Sequence, residues 1–358
     1  MATVLAYSIP GGGTTPCLAA SVPPSHTRPP TTKSKPGGKI LRLTYFDDYR
    51  LGAVKGDAIV DLTPLLSSLP HRDTLDLMPA LIAEFDAFRP MIEAELTKET
   101  GKKLPEARLR APLPRARQID CMAVNYMEDG TLPEPPPINA FHKSPGAVIG
   151  PGDTMVLPDI PAIVFEAEAE MALVIGKRAT NVSEAAAMTH VFGYMNFIDG
   201  SARGMPPANN VFFQAKSRDT FAPMGPFLVT ADEVDDPQSL DIRLWINGEL
   251  RQGFNTSDMA HRIPRCISWL SSIHTLEPGD VVATGTNHRG LSALHDGDTV
   301  ELETAGLGRL HFRVRDELRR RWTPETRAQE NEKLVARGEK ALPTGVPARQ
   351  IGGKYTPA

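Results

Sequence analysis

At 358 residues the chain can bury a large core, and one large domain with a smaller one is the expectation. Lys and Arg total 39 against 43 Asp and Glu, a net charge of −4, which argues against nucleic acid as a partner. No apolar run is long enough to span a bilayer, and Cys17, Cys121 and Cys266 have no metal-ligand spacing, so the expected location is a reducing, cytoplasmic one.

Residues 1–38 are rich in Gly, Pro, Ser and Thr, and no acid precedes Asp47. Such a segment cannot bury enough apolar surface to fold, so a disordered extension is expected. Its lack of acids, with Arg28, Lys33 and Lys35, also suits an organelle transit peptide, although Pro10, Pro16, Pro23 and Pro24 interrupt any amphipathic helix. Strand-like runs follow at Ile40–Phe46, Arg50–Val54 and Ala58–Leu62, punctuated by Gly and Asp. Helices are predicted over Leu75–Phe88 and Pro90–Thr97, with Pro79 and Pro90 breaking them. Residues 39–115 thus read as a small N-terminal α/β domain, ending at the Pro112-Leu113-Pro114 linker.

Residues 116–316 read as the main domain. Within it, the stretch Phe165–Gly176 has period two as a strand, with Glu166, Glu168 and Glu170 on one face and Ala167, Ala169, Met171 and Leu173 on the other. Side chains two apart on a strand lie ~7 Å apart. Burying an uncompensated carboxylate costs several kcal/mol, so the acidic row needs solvent on an edge strand, raised pKa values, or a hard divalent cation. Further on, Leu240–Ile246 alternates and turns at Asn247-Gly248, a hairpin signal. Ser257-Asp258 can cap a helix from Met259 to Ile273, and strands are predicted over Val281–Thr284, Thr299–Glu303 and Arg309–Val314. The fold class is therefore mainly β with some α (α+β). Residues 317–358 form a charged C-terminal extension, with Arg319-Arg320-Arg321 and a helical Pro324–Lys340, expected to be solvated or to cover a subunit.

Five motifs occur in order: the acidic strand, Gly193-Tyr194-Met195-Asn196-Phe197-Ile198-Asp199-Gly200-Ser201-Ala202-Arg203, Gln214 to Pro226, Asn247-Gly248-Glu249, and Pro278-Gly279-Asp280 to Thr286. From about Asp120 to Val314 the chain resembles the fumarylacetoacetate hydrolase (FAH) superfamily. The resemblance implies a mixed β-sandwich roll, a homodimer, and a metal site of Glu168, Glu170 and Asp199 holding Mg²⁺ or Mn²⁺, with Ca²⁺ used in the wider family. It makes Glu166 a supporting acid and Lys216 a catalytic cation stabilising developing negative charge. Gln214, Thr286 and Lys143, in Phe141-His142-Lys143, become substrate-binding candidates. Arg203 either braces the metal loop or touches substrate.

One departure stands out. Family hydrolases and decarboxylases carry N-Y-x-x-H-x-x-E in a lid, whose His–Glu pair activates water. Here Asn125-Tyr126 is followed by Asp129 at the histidine position and Leu132 at the glutamate position. Glu128, Asp129 and His288, in Gly285-Thr286-Asn287-His288-Arg289, are therefore the candidates for the base, and Arg289 for a second cationic contact. The expected activity is metal-dependent hydrolytic C–C cleavage of a small 1,3-dicarbonyl or acylpyruvate-type 2-oxo acid. The alternatives are decarboxylation, tautomerisation, or ligand binding without turnover.

Overall fold

The computed structural model describes residues 41–205 and 212–357; the extension expected over residues 1–38 lies outside them. The chain opens with a meander of β1 (Arg42–Phe46), β2 (Arg50–Lys55) and β3 (Ala58–Asp61). Helices α1 (Leu77–Ala83) and α2 (Phe85–Lys98) and the short β4 (Lys102–Lys103) follow. Next come β5 (Ile119–Met122), β6 (Ala140–Lys143), β7 (Val148–Ile149), β8 (Thr154–Val156) and the long β9 (Val164–Ile175). After α3 (Glu184–Ala187) come β10 (Val191–Arg203), α4 (Phe212–Lys216), β11 (Ala222–Thr230), β12 (Asp241–Ile246) and β13 (Glu249–Asn255). The remainder is α5 (Ile263–Ile273), β14 (Val281–Ala283), β15 (Thr299–Thr304), β16 (Arg309–Arg315), β17 (Arg321–Trp322), α6 (Arg327–Ala336) and β18 (Gln350–Gly352).

Two sheets dominate. The larger runs β4-β3-β2-β1-β11-β10-β9-β14-β5-β6, with β7 beside β11, and the smaller runs β13-β12-β15-β16-β8. Strands β12, β15 and β16 alternate between buried and more exposed positions, as strands do when one face meets a core and the other meets water. Their inward residues Ile242, Leu244, Leu302 and Phe312 pack in one cluster with Ala167, Ala169, Met171 and Leu173 of β9. A second cluster covers the other side of the large sheet, joining Ala172, Val174, Met195 and Phe197 to Met78, Leu81 and Ile92 of the two helices. The fold is mainly β with some α, and among the described residues no helix is long and apolar enough to cross a membrane.

Several local expectations shift for identifiable reasons. Pro79 sits in the first turn of α1, where no intrahelical N–H is needed, and Pro90 is carried inside α2, whose Ile92 and Leu96 are held in the core. The break falls between them, at Glu84. Helix α5 starts at Ile263 rather than Met259, because Pro264 is favoured in a first turn. Asn247 and Gly248 both have positive φ (53° and 80°), which a tight hairpin turn requires.

Two expected boundaries change as well. The strands of residues 39–115 extend the large sheet, since β1 pairs antiparallel with β11 (Arg42↔Val229, Leu43↔Leu228). The predicted small domain is thus built onto the main sheet. The charged extension after residue 316 is not a solvated appendage: Trp322 is buried, and buried Arg320 pairs with Asp316 (2.9 Å) and donates to the carbonyls of Pro158 and Ile160.

Candidate active site and metal centre

β9 is an interior strand between β10 and β14, which rules out the edge-strand alternative for its acids. The antiparallel register pairs Glu168 with Asp199 and Glu170 with Phe197. Directly opposed side chains have Cβ atoms ~5 Å apart, so Asp199 meets Glu168, with Glu170 next along the same face. One oxygen of each of these three acids lies within 4.8 Å of the others. All three are buried, as is Glu166.

Buried acids in such number require cations, and the structure supplies them. Lys216, at the end of α4, donates to Glu168 Oε2 (2.5 Å) and Asp199 Oδ2 (2.6 Å). Lys143, at the end of β6, donates to Asp199 Oδ1 (2.6 Å) and to the carbonyls of Gly200 and Lys216. Arg203 closes β10 and spans Glu166 Oε2 (2.8 Å) and Glu168 Oε1. Burial pushes the Glu168 carboxyl up, but Arg203, Lys216 and His288 outweigh it and hold Glu168 well below the usual carboxylate range. The same opposition raises Lys216 above an ordinary lysine: burial lowers it, and Asp199 and Glu168 more than compensate. Glu170 goes the other way. Burial, then repulsion from Asp199 and Glu168, push it well above its ordinary value.

Two loops close over this centre. Asn125 ties them together: its Oδ1 accepts from the His261 N–H (2.9 Å) and its Nδ2 donates to the Thr284 carbonyl (2.9 Å). Gly285, at φ 87°, donates its N–H to Glu170 Oε2 (2.7 Å). A Cβ there would lie 3.0 Å from that of Asn125, so both backbone and space call for glycine. On the facing loop, Glu128 and Asp129 both adopt left-handed conformations (φ 56° and 55°), which cost about 1–2 kcal/mol each for non-glycine residues. The turn sends Glu128 fully inward and Asp129 outward, its side chain 58 % exposed and 3.7 Å from Arg289.

The inward Glu128 meets His288. Its Oε1 lies 2.5 Å from His288 Nδ1, and its Oε2 accepts the His288 backbone N–H (2.9 Å). With Nδ1 directed at Glu128, His288 turns Nε2 toward the acids, 3.6 Å from Glu168 Oε1, where the neutral tautomer with its proton on Nδ1 would present a lone pair. The lid lacks a His–Glu pair at Asp129 and Leu132, yet a carboxylate–imidazole pair is assembled from Glu128 and His288.

The other sequence candidates divide. Thr286 lines the cavity, its hydroxyl accepting from Gln252 Nε2 (2.9 Å). Lys143 and Arg203 are committed to the acids. Gln214 is half-buried on α4, outside the residues lining the cavity, with its carbonyl accepting from Arg218. Glu168, Glu170, Asp199, Lys216, Phe141 and His288 border a cavity of about 60 Å³.

Residues 119–315 match the family model described as fumarylacetoacetate (FAA) hydrolase C-terminal. The chain belongs to the fumarylacetoacetate hydrolase family. It is 37 % identical over 287 residues to oxaloacetate tautomerase YisK of Bacillus subtilis (strain 168), spanning 73 % of this chain and 94 % of that protein. It is 32 % identical over 291 residues to maleylpyruvate hydrolase of Aquipseudomonas alcaligenes, spanning 77 % and 99 %. Among solved structures, maleylpyruvate hydrolase from Sphingobium sp. SYK-6, in complex with manganese(II) and pyruvate, superposes with a TM-score of 0.70 at 36 % identity, over 77 % of this chain and 99 % of that one.

The donor set of this family member fits a hard divalent cation. Glu168, Glu170 and Asp199 offer only oxygens, and the raised Glu170 marks a place where a further positive charge would restore its anionic form. One residue of the centre escapes the sequence motifs. Arg327, in the first turn of α6, donates from Nε and an amino nitrogen to Glu166 (2.8 and 2.6 Å). Nothing local distinguishes it from the surrounding charged residues. The only signal nearby is the Thr326–Gln329 capping box that starts its helix.

Proposed function

We propose that the protein is a divalent-metal-dependent enzyme that hydrolyses a C–C bond in an acylpyruvate-type 2-oxo acid. The observation that carries this reading is the Glu128–His288 pair beside three convergent carboxylates. When bound at Glu168, Glu170 and Asp199, Mg²⁺ or Mn²⁺ would supply Lewis-acid stabilisation of the enolate that forms as the bond breaks. His288 Nε2 takes the proton of the attacking water, and Glu128 holds the ring in the required tautomer and stabilises the imidazolium. Lys216 stays cationic and offsets developing negative charge. Thr286, oriented by Gln252, offers its hydroxyl to a substrate oxygen.

Charge supports the substrate class. Glu166, Glu168 and Asp199 are met by Lys143, Arg203, Lys216 and Arg327, while burial and its neighbouring acids push Glu170 up, so the buried cluster has no excess of negative charge. Adding a dication therefore favours a ligand that brings compensating negative charge, as a 2-oxo diacid does. The pyruvate and manganese in the similar maleylpyruvate hydrolase point the same way.

A second reading is keto–enol tautomerisation of an oxaloacetate-type acid, favoured by the presence of His288 as the imidazole lining the cavity. One imidazole suffices to move a proton between carbon and enol oxygen, and a relative is named oxaloacetate tautomerase. Metal-stripped protein reloaded with Mg²⁺ or Mn²⁺ should be assayed against acylpyruvates and oxaloacetate, with products identified by mass spectrometry and enol content followed by ultraviolet absorbance. Metal-dependent release of pyruvate with a carboxylic acid supports hydrolysis. Enol-to-keto conversion of oxaloacetate without cleavage of any acylpyruvate overturns hydrolysis in favour of the second reading.

A further inference from the structure

A second group of metal-ligating side chains lies at the free edge of the large sheet. Asp120 on β5 and His142 on the edge strand β6 are register partners, and His274, the residue after α5, reaches the same place. Asp120 Oδ1 is 2.8 Å from His142 Nδ1, and Asp120 Oδ2 is 3.5 Å from His274 Nε2. One donor atom of each residue lies within 4.8 Å of the others. Ligand atoms around a tetrahedral zinc ion at ~2.0–2.2 Å are separated by roughly 3.4 Å. The two Asp120–histidine distances, one on each carboxylate oxygen, lie on either side of that spacing, all three donors fall within 4.8 Å, and the largely exposed ring of His142 is free to adjust.

The electrostatics differ from those of the catalytic centre in a telling way. There, Glu166, Glu168 and Asp199 each have a lysine or arginine on them. The equally buried Asp120 has around it the two imidazoles and the Gln118 amide, with Nε2 3.1 Å from Asp120 Oδ2 and 3.2 Å from His274 Nδ1. Burial outweighs the Gln118 amide and the two imidazoles and pushes the Asp120 carboxyl up. Turning the Gln118 amide would bring its oxygen to the same spot as a fourth donor.

We propose that Asp120, His142 and His274 bind a borderline-soft divalent transition metal of the zinc class, in a site separate from the catalytic acids. Ligand chemistry sorts the two sites: imidazoles with one carboxylate select Zn²⁺, Co²⁺ or Ni²⁺, and three carboxylates select Mg²⁺ or Mn²⁺. The site ties edge strand β6 to its neighbour β5 and to the end of α5. The next residue of β6 is Lys143, whose amine holds Asp199 on the opposite face of the sheet. The zinc-class ion thus anchors the strand that supplies one of the metal centre's cations.

The test is a Zn²⁺ titration of the full chain at pH 7.5 in excess Mg²⁺, against a chromophoric chelator, for the native protein and for His142→Ala and His274→Ala. His142 is exposed, so its variant keeps the fold, and urea unfolding of each protein with and without Zn²⁺ gives a second readout. The expected result is one equivalent of Zn²⁺ held by native protein, binding weakened at least tenfold in both variants, and a Zn²⁺-dependent rise in the unfolding midpoint that His142→Ala abolishes. No Zn²⁺ retained in excess Mg²⁺, or equal retention by His142→Ala, overturns the proposal.

Discussion

Replacing Glu128 by Gln changes one oxygen to an NH₂ group and leaves the shape of the site intact. Both Glu128 oxygens are used, one by His288 Nδ1 (2.5 Å) and one by the His288 backbone N–H (2.9 Å). A glutamine has a single acceptor for these two donors. If its oxygen takes the backbone N–H, its NH₂ faces Nδ1 and drives the ring proton to Nε2, removing the lone pair that faces the acids. If its oxygen takes Nδ1–H, the NH₂ is forced against the backbone N–H. Either arrangement loses the oriented base, and general-base catalysis is worth about 10²- to 10⁴-fold, or roughly 3–5.5 kcal/mol of barrier. We expect kcat on the metal-loaded enzyme to fall by about that factor. The Mn²⁺ affinity should change little, since Glu128 makes no hydrogen bond to Glu168, Glu170 or Asp199. His288→Ala should cost as much, and the double variant no more than either single one, because the two residues act as a unit. Asp129→Asn, one residue along but facing Arg289, should keep native turnover. A Glu128→Gln enzyme within threefold of native kcat, or additive losses in the double variant, would refute this account of the base.

Three further outcomes follow from the same geometry. Glu168→Ala or Asp199→Ala should abolish both Mn²⁺ binding, measured by calorimetry, and turnover; full activity in either would overturn the metal-ligand assignment. Arg327→Met leaves Glu166 with Arg203 as its remaining cation among the described residues, and breaking a buried ion pair costs about 3–5 kcal/mol, to be read as a lower midpoint in urea. Burial alone would raise Asp298, but His295 and Asn247 hold it below its ordinary value. A depressed carboxylate stabilises the fold above its unfolded pKa of ~4, and that contribution fades as pH falls through the lower folded value. Asp298→Asn should therefore narrow the stability gap between pH 7 and pH 3 in acid-unfolding curves, and an unchanged gap would count against the assignment.

The period-two acids of Phe165–Gly176 and the Gly193–Arg203 motif were legible because strand geometry is local: alternation alone places Glu166, Glu168 and Glu170 on one face. Turn chemistry is local too, so the Asn247-Gly248 hairpin could be read directly. Where sequence reasoning missed, non-local packing had the last word. Pro90 continues a helix because Ile92 and Leu96 are buried beside it, and residues 39–115 join the main sheet because β1 finds β11.

The site divides along the same line. By itself the sequence pointed to the family and to Glu168, Glu170, Asp199 and Lys216 as candidates, since these rest on residue types at short, ordered spacings. Only the tertiary structure brings one of the candidate acids, Glu128, against one histidine, His288, the pair proposed as the base. Glu128 and Asp129 are neighbours of like chemistry, and only two successive left-handed residues turn one inward and the other out. His288 is 160 residues away, and Arg327 reaches Glu166 across 161. Pairings of that range depend on how whole sheets and terminal helices come together, and no local periodicity records them.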